Sequence, residues 1–296
     1  MRVGQTTIIT GDLNTGVTAI VPDGYADGLP AAVAVGNGYG KLVGSTQVDE
    51  LGVIETPVLL TGTLSVFRVA DALLTWLLDR DPEATSLNPV VGETNDGHLS
   101  DIRRRPITPE HVHAALDSAA TDLPAEGCVG AGTGTEALGF KAGIGTASRT
   151  LDSGTIGVLV QANFSGTLTV LGTPIPSQPV PAQPVPAPSV DGNSCMIVVA
   201  TDLPLDARQL GRVARRAVFA MGRVGSDFAP GSGDYAIAFT TNRGSAFVDR
   251  QLRGPFQATT ESVEEALLNS LTMATTTTGF QGRTAHAVPH DLIPLR

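Results

Sequence analysis

The chain has 296 residues and a formal net charge of −10; 42% of it is hydrophobic and 16% charged, too apolar for a disordered chain, and its 34 Gly and 20 Pro are too many helix breakers for a coiled coil. Acidity on this scale repels a phosphate backbone and excludes nucleic acid as a partner, because that affinity comes from clustered Lys and Arg. With only 9 Phe, 3 Tyr and 1 Trp, the core must be aliphatic, which suits sheets covered by helices.

In chain order, the first 20 residues lack the basic head and apolar middle of an export signal. No run of 18 apolar residues occurs anywhere, so a soluble cytoplasmic chain without a membrane span is expected. Val66, Ala70, Leu73, Leu74 and Leu77 recur at helical spacing and predict a helix from about Leu64 to Leu78. Thr108-Pro109-Glu110 reads as an N-cap, a first-turn proline and an early acid, with Val112, Ala115, Leu116 and Ala119 on one face of the helix that follows. Thr155 to Gln161 is uncharged and β-branched, the pattern of a buried strand.

Seven of the 15 residues from Pro174 to Pro188 are proline, which predicts an extended linker across roughly 173–190. A polar turn, Asp191-Gly192-Asn193-Ser194, then runs into the apolar segment Cys195 to Ala200, read as a strand. Leu210, Val213, Ala214, Ala217 and Met221 define one helix face and Arg208, Arg212, Arg215 and Arg216 the other. Tyr235, Ile237 and Phe239 alternate with small residues in a strand from Asp234 to Thr241. Ser262 with Glu265 reads as a capping box opening the last helix.

The familiar chemical signatures are absent. Gly130-Ala131-Gly132-Thr133-Gly134 does not complete a dinucleotide or P-loop motif, so a tight backbone passage is the reading preferred. His111 and His113 point to different faces of a helix, and His286 and His290 have no carboxylate set nearby, so no metal ligation is expected. No GxSxG elbow marks a serine triad. A hydroxyl can instead be activated by becoming an N-terminal residue, whose α-amine, with a reference pKa of about 7.7–8.0, serves as base. Asn193-Ser194 has the turn, the β-hydroxyl and the proline-rich lead-in that a self-cut requires, although a Gly-Asn-Ser turn before a strand is also an ordinary structural element. Cys195, next along the strand, alternates to the opposite face from Ser194 and is read as core.

Larger blocks carry a resemblance. Asp191 to Ala217 (DGNSCMIVVATDLPLDARQLGRVARRA) is similar to the start of the small subunit of the L-aminopeptidase/D-esterases and β-aminopeptidases. Leu29 to Val66, Pro89 to Ile102, Glu126 to Arg149, Val158 to Gly166, Gly231 to Thr241 and Glu265 to Pro289 resemble further family segments in the family's order. The resemblance implies an α+β fold, a four-layer αββα sandwich like that of N-terminal-nucleophile hydrolases with a distinct connectivity. It also implies one precursor domain, residues 1–296, that cuts itself between Asn193 and Ser194 into pieces 1–193 and 194–296, with no metal or organic cofactor.

Matched position by position, Ser194 is the nucleophile in both self-cleavage and substrate hydrolysis. Ser232 is a second serine bonding to it, Asp234 the acid that orients Ser232, and Asn163 an oxyanion-hole amide. Glu93 is the carboxylate that receives the substrate's free amine, and Asn95 stands where family members often carry an aromatic pocket wall. Taken singly, Glu93, Asn163 and Ser232 would pass for ordinary loop or strand-end polar residues. The implied activity is removal of N-terminal residues from small peptides, amides or esters by a homo-oligomer of two-piece protomers. The alternatives are an endo-acting oligoamide hydrolase, an acyl transferase to an amine, and a degenerate relative that only binds. The first two are expected to carry threonine at the nucleophile position.

Overall fold

The computed structural model describes residues 1–177 and 194–293. Asn193 and most of the proline-rich segment lie outside them. The first half runs through a hairpin, β1 (Arg2–Thr10) and β2 (Leu13–Val21), then β3 (Leu29–Gly38), β4 (Leu42–Val43), α1 (Ser45–Leu51), β5 (Val53–Ile54), β6 (Val58–Gly62), α2 (Val66–Leu78), β7 (Val90–Thr94) and α3 (Pro109–Asp117). A short ribbon of β8 (Glu136–Ala137) and β9 (Phe140–Lys141) leads into the long hairpin β10 (Ile144–Leu151) and β11 (Gly154–Asn163), followed by a second ribbon, β12 (Thr169–Val170) and β13 (Thr173–Pro174). After the proline-rich segment come β14 (Ser194–Thr201), α4 (Ala207–Met221), β15 (Gly233–Thr240), α5 (Arg253–Thr272) and a last ribbon, β16 (Thr277–Thr278) and β17 (Thr284–Ala285).

These elements make four layers, as the resemblance implied. A five-stranded sheet in the order β1-β2-β6-β7-β4 faces a six-stranded sheet in the order β10-β11-β14-β15-β3-β5. Three apolar clusters separate the layers. One joins α2 and α3 to β2, β6 and β7; one, including Ile20, Leu60, Leu159, Met196 and Phe239, lies between the sheets; one joins β11, β14 and β15 to α4 and α5. Central strands are covered on both faces, so β2, β6, β7 and β15 are buried at every position, β15 included although large and small residues alternate along it. Each sheet contains one parallel pair, β6 with β7 and β14 with β15. Parallel neighbours cannot be joined by a hairpin, and α2 and α4 supply the two crossovers.

Alternation along β14 sets the chemistry. Cys195, Ile197 and Val199 point to the helix layer, whereas Met196 and Val198 point between the sheets. Ser194 shares the parity of the second set. Cys195 is fully buried, and burial followed by the nearby Asp234 pushes its thiol far above the usual range, so it stays a protonated core residue as expected. At the glycine cluster, Gly130 adopts φ +51° and starts a tight 3-10 turn through Gly132, the backbone passage expected there.

Two expectations are corrected. Ser262 does not open the last helix: α5 begins at Arg253, after a 3-10 turn at Asp249–Leu252, and Ser262 sits inside it, buried, its Oγ without a hydrogen-bond partner among the described residues. The serine-glutamate spacing that mimics a cap here lies within a helix already under way. The linker also starts later than the proline content suggests. Thr173–Pro174 pairs with β12, and Ile175 is buried with its N–H donated to the Leu168 carbonyl at 2.6 Å. Among the described residues, no helix is long and apolar enough to cross a membrane.

Candidate active site

Three strand ends of the six-stranded sheet converge. In the register of the ladder, Ser194 at the start of β14 lies opposite Asn163 at the end of β11 on one side and Gly233 at the start of β15 on the other. All three are buried. The Gly233 N–H donates to Ser194 Oγ at 3.3 Å. Asn163 is oriented by a main-chain donor: the Glu136 N–H bonds its Oδ1 at 3.0 Å, which leaves Nδ2 as the donating end of the amide.

Next to Gly233, the Ser232 hydroxyl donates to Asp234 Oδ1 at 2.7 Å, and Asn37 Nδ2 donates to Asp234 Oδ2 at 2.9 Å. The same Asn37 amide also reaches the Phe228 carbonyl at 3.1 Å. Both carboxylate oxygens of Asp234 are therefore engaged, one of them by the Ser232 hydroxyl. Burial raises the Asp234 pKa, while the hydrogen bonds from Ser232 and Asn37 oppose that rise. Asn37 was not legible beforehand: it faces Asp234 across the β15–β3 ladder, almost 200 positions away in the chain.

The opposite wall comes from the other sheet. Glu93, near the end of β7, is 2% exposed. Its Oε1 accepts the Lys41 main-chain N–H at 2.9 Å and lies 3.4 Å from Lys41 Nζ, which also donates to Thr63 Oγ1 at 2.7 Å. Its Oε2 is buried without a hydrogen-bond partner among the described residues. Gly40 and Gly233 bring the two walls together: a Cβ on Gly40 would meet Tyr235 Cε2 at 3.0 Å, Gly233 Cα at 3.1 Å and Glu93 Oε1 at 3.2 Å. Only two glycine backbones can approach this closely, and their contact places Glu93 beside the start of β15, the neighbour of Ser194.

Asn95 is half-buried and engaged locally. Its Oδ1 accepts the Gly97 N–H at 2.9 Å, closing a local turn after β7. That turn positions Asp96, which is 1% exposed and has no hydrogen-bond partner of good geometry at either carboxylate oxygen among the described residues. Burial pushes the Asp96 carboxyl up to about 6, against the pull of the nearby Thr15 hydroxyl, with Glu93 adding to the rise and Lys141 opposing it. Gln161 closes the floor between the sheets, its Nε2 donating to the Thr61 carbonyl, Thr94 Oγ1 and the Ala131 carbonyl. Asn37, Lys41, Asp96 and Glu136 complete the site although the motif pattern had not singled them out.

Sequence and structure comparisons agree with this architecture. The family profile described as peptidase family S58 matches residues 1–285. The chain is 38% identical to the beta-peptidyl aminopeptidase BapA of Sphingosinicella xenopeptidilytica, with 98% of this chain and 83% of that protein covered. Among solved structures it is similar to a beta-aminopeptidase of Burkholderia sp., at TM-score 0.87 and 34% identity over 98% of this chain and 89% of that one. It is equally similar in sequence, at 34% identity and TM-score 0.89 over the same shares, to the L-aminopeptidase D-Ala-esterase/amidase of Ochrobactrum anthropi, described as a prototype for the serine aminopeptidases and a variant of the Ntn hydrolase fold.

Proposed function

The chain belongs to peptidase family S58 and is a serine aminopeptidase, and on that premise we propose that Ser194 becomes a chain end by self-cleavage after Asn193 and then removes N-terminal residues from small peptides, amides and esters. The precursor's Ser194 Oγ attacks the Asn193 carbonyl, the acyl group shifts from nitrogen to oxygen, and water releases residues 1–193 from residues 194–296. The freed α-amine, with a reference pKa of about 7.7–8.0, takes the hydroxyl proton in each later turnover and returns it to the leaving amine. Asn163 Nδ2 donates to the developing oxyanion, and water hydrolyses the acyl-enzyme. Ser232, held by Asp234 and Asn37, lends a fixed hydroxyl next to the nucleophile.

The observation that carries the substrate reading is Glu93 Oε2, a buried carboxylate oxygen with an empty hydrogen-bonding capacity on the wall facing the nucleophile's strand. Lys41 pairs with Oε1 alone; a buried acceptor left without a hydrogen bond is costly, and a substrate ammonium satisfies it. The amine so held fixes how far into the substrate the scissile carbonyl lies, which makes the enzyme an exopeptidase. The relatives' names add β-peptides to the candidate substrates, and a homo-oligomer of processed protomers is the expected assembly.

The test is the intact mass of purified wild type beside Ser194→Ala. Wild type is expected as two pieces, 1–193 and 194–296, and the variant as one inactive chain. A fully active wild type whose residue 194 is still joined to 193 would overturn the proposal.

A further inference from the structure

Of the chain's 19 Lys and Arg residues only two are lysines, Lys41 and Lys141. The first touches Glu93. The second, in β9, is 0% exposed. Its Nζ donates to the Thr135 carbonyl at 2.9 Å, the Gly132 carbonyl at 3.3 Å and the Ala142 carbonyl. Three converging acceptors match the three N–H bonds of an ammonium, whereas a neutral amine would leave one carbonyl unserved. Arginine's planar fork does not fit three carbonyls gathered around one point. Burial pulls the Lys141 pKa down, and the neighbouring Cys128, Glu136 and Asp96 oppose that pull.

One of the three acceptors matters beyond the loop. The Thr135 carbonyl belongs to the same peptide group as the Glu136 N–H, and that N–H donates to Asn163 Oδ1 at 3.0 Å. Two amides thus stand in series between a buried positive charge and Asn163 Nδ2. An ammonium on a peptide oxygen draws electron density through the conjugated C–N bond and makes the N–H at the other end a stronger donor. Donation to Asn163 Oδ1 does the same to the side-chain amide, because hydrogen-bonded amides polarise one another in sequence. We propose that Lys141 is a positioning residue for the oxyanion hole, fixing and polarising Asn163 through the Thr135–Glu136 peptide group. The proposal rests on Asn163 being the oxyanion donor.

A double-mutant cycle tests it on protein shown by intact mass to be cut, with circular dichroism and a melting curve as controls. Lys141→Met removes the charge at similar length; if it does not accumulate folded, Lys141→Gln, which keeps a donor for the Thr135 carbonyl but not the charge, takes its place. In the Asn163 background kcat is expected to fall about tenfold with KM unchanged, and in the Asn163→Ala background by about twofold or less, because coupled residues do not add. The carbonyl stretch of an acyl-enzyme made with a slowly hydrolysed ester is expected to rise in frequency in the Lys141 variant, reporting a weaker donor. Equal losses of kcat in both backgrounds, or a folded variant with unchanged kcat and stretch, would overturn the inference. If Asn163→Ala alone leaves kcat intact, the oxyanion assignment falls first, and that outcome is distinct from a failure of Lys141.

Discussion

The two walls of the cleft are built on opposite electrostatic plans. On the six-stranded sheet the acid is satisfied: Asp234 bonds Ser232 with one oxygen and Asn37 with the other, and Asn163 Oδ1 is held by a main-chain N–H. On the five-stranded sheet Glu93 is held at Oε1 only, and Glu93 Oε2 and both oxygens of Asp96 are buried without hydrogen bonds among the described residues. A wall that must hold a reacting hydroxyl within a fraction of an ångström gains from saturation, because every rotamer is then fixed. A wall that must accept a cation gains from a deficit that the cation fills. On the function proposed above, the contrast divides the residues assigned to chemistry from those assigned to substrate selection.

The sharpest way to break that division is to damage one wall at a time. Asn163→Ala is expected to lower kcat by about 10²–10³ on every substrate, the usual cost of an oxyanion donor. Free-amine and amine-blocked p-nitroanilides should lose alike. Glu93→Gln is expected to lower kcat/KM by about 10–10³ on free-amine substrates, the cost of removing one partner of a buried charge pair, and to leave amine-blocked substrates unaffected. Equal losses on both substrate types in Glu93→Gln would remove the carboxylate from substrate selection.

Asp96 sharpens the comparison through pH. Its folded pKa of about 6 lies above the ordinary 3.8. Between those values the native state keeps a proton that the unfolded chain has lost, so stability falls as pH rises through that window, and the full cost is present above the folded pKa. The cost is about 3 kcal/mol at most for one group at this displacement. Asp96→Asn is therefore expected to be more stable than wild type at pH 8 and equal to it near pH 4, as read from denaturant midpoints at several pH values. Glu136, pushed up to about 7 chiefly by burial, acts in the same direction but is partly exposed and contributes less. A wild type and an Asp96→Asn protein with parallel pH profiles would show that the charge is compensated in the native state.

The strands of the six-stranded wall were legible in the sequence as apolar runs, whereas the roles given to the polar residues at their ends came only from the resemblance to the aminopeptidase family. Ser194 precedes Cys195 to Ala200, Asn163 closes a β-branched segment, and Ser232 and Asp234 open an alternating strand. The helices Val66–Leu78 and Pro109–Asp117 followed from 3.6-residue spacing and a threonine-proline start. Other parts were not legible, for identifiable reasons. Ser262 matched a local pattern that the longer helix overrides. Asn37 reaches Asp234, and Glu136 reaches Asn163, only through pairings between distant segments, which no window along the chain contains. Lys41 and Lys141 did leave a trace. In a chain that otherwise uses arginine for positive charge, Lys41 and Lys141 are the two lysines, and both lie next to glycine-containing segments.

The smallest expected effect concerns Asn95, the position where an aromatic wall was expected to be missing. The side chain accepts the Gly97 N–H at 2.9 Å and so supports the turn that carries Asp96 inward. Asn95→Ala removes that bond and leaves the Gly97 N–H to find water, which is available because Asn95 and Gly97 are only half-buried. Loss of one such side-chain to main-chain bond costs about 1 kcal/mol, to be read as a shift in denaturant midpoint. KM for small aliphatic aminoacyl anilides should stay within about twofold, because the turn borders the selecting wall without supplying its charge. A KM change far beyond that, with stability unaltered, would move Asn95 from the frame of the cleft into its substrate surface and make the five-stranded wall selective for side chains as well as for the amine.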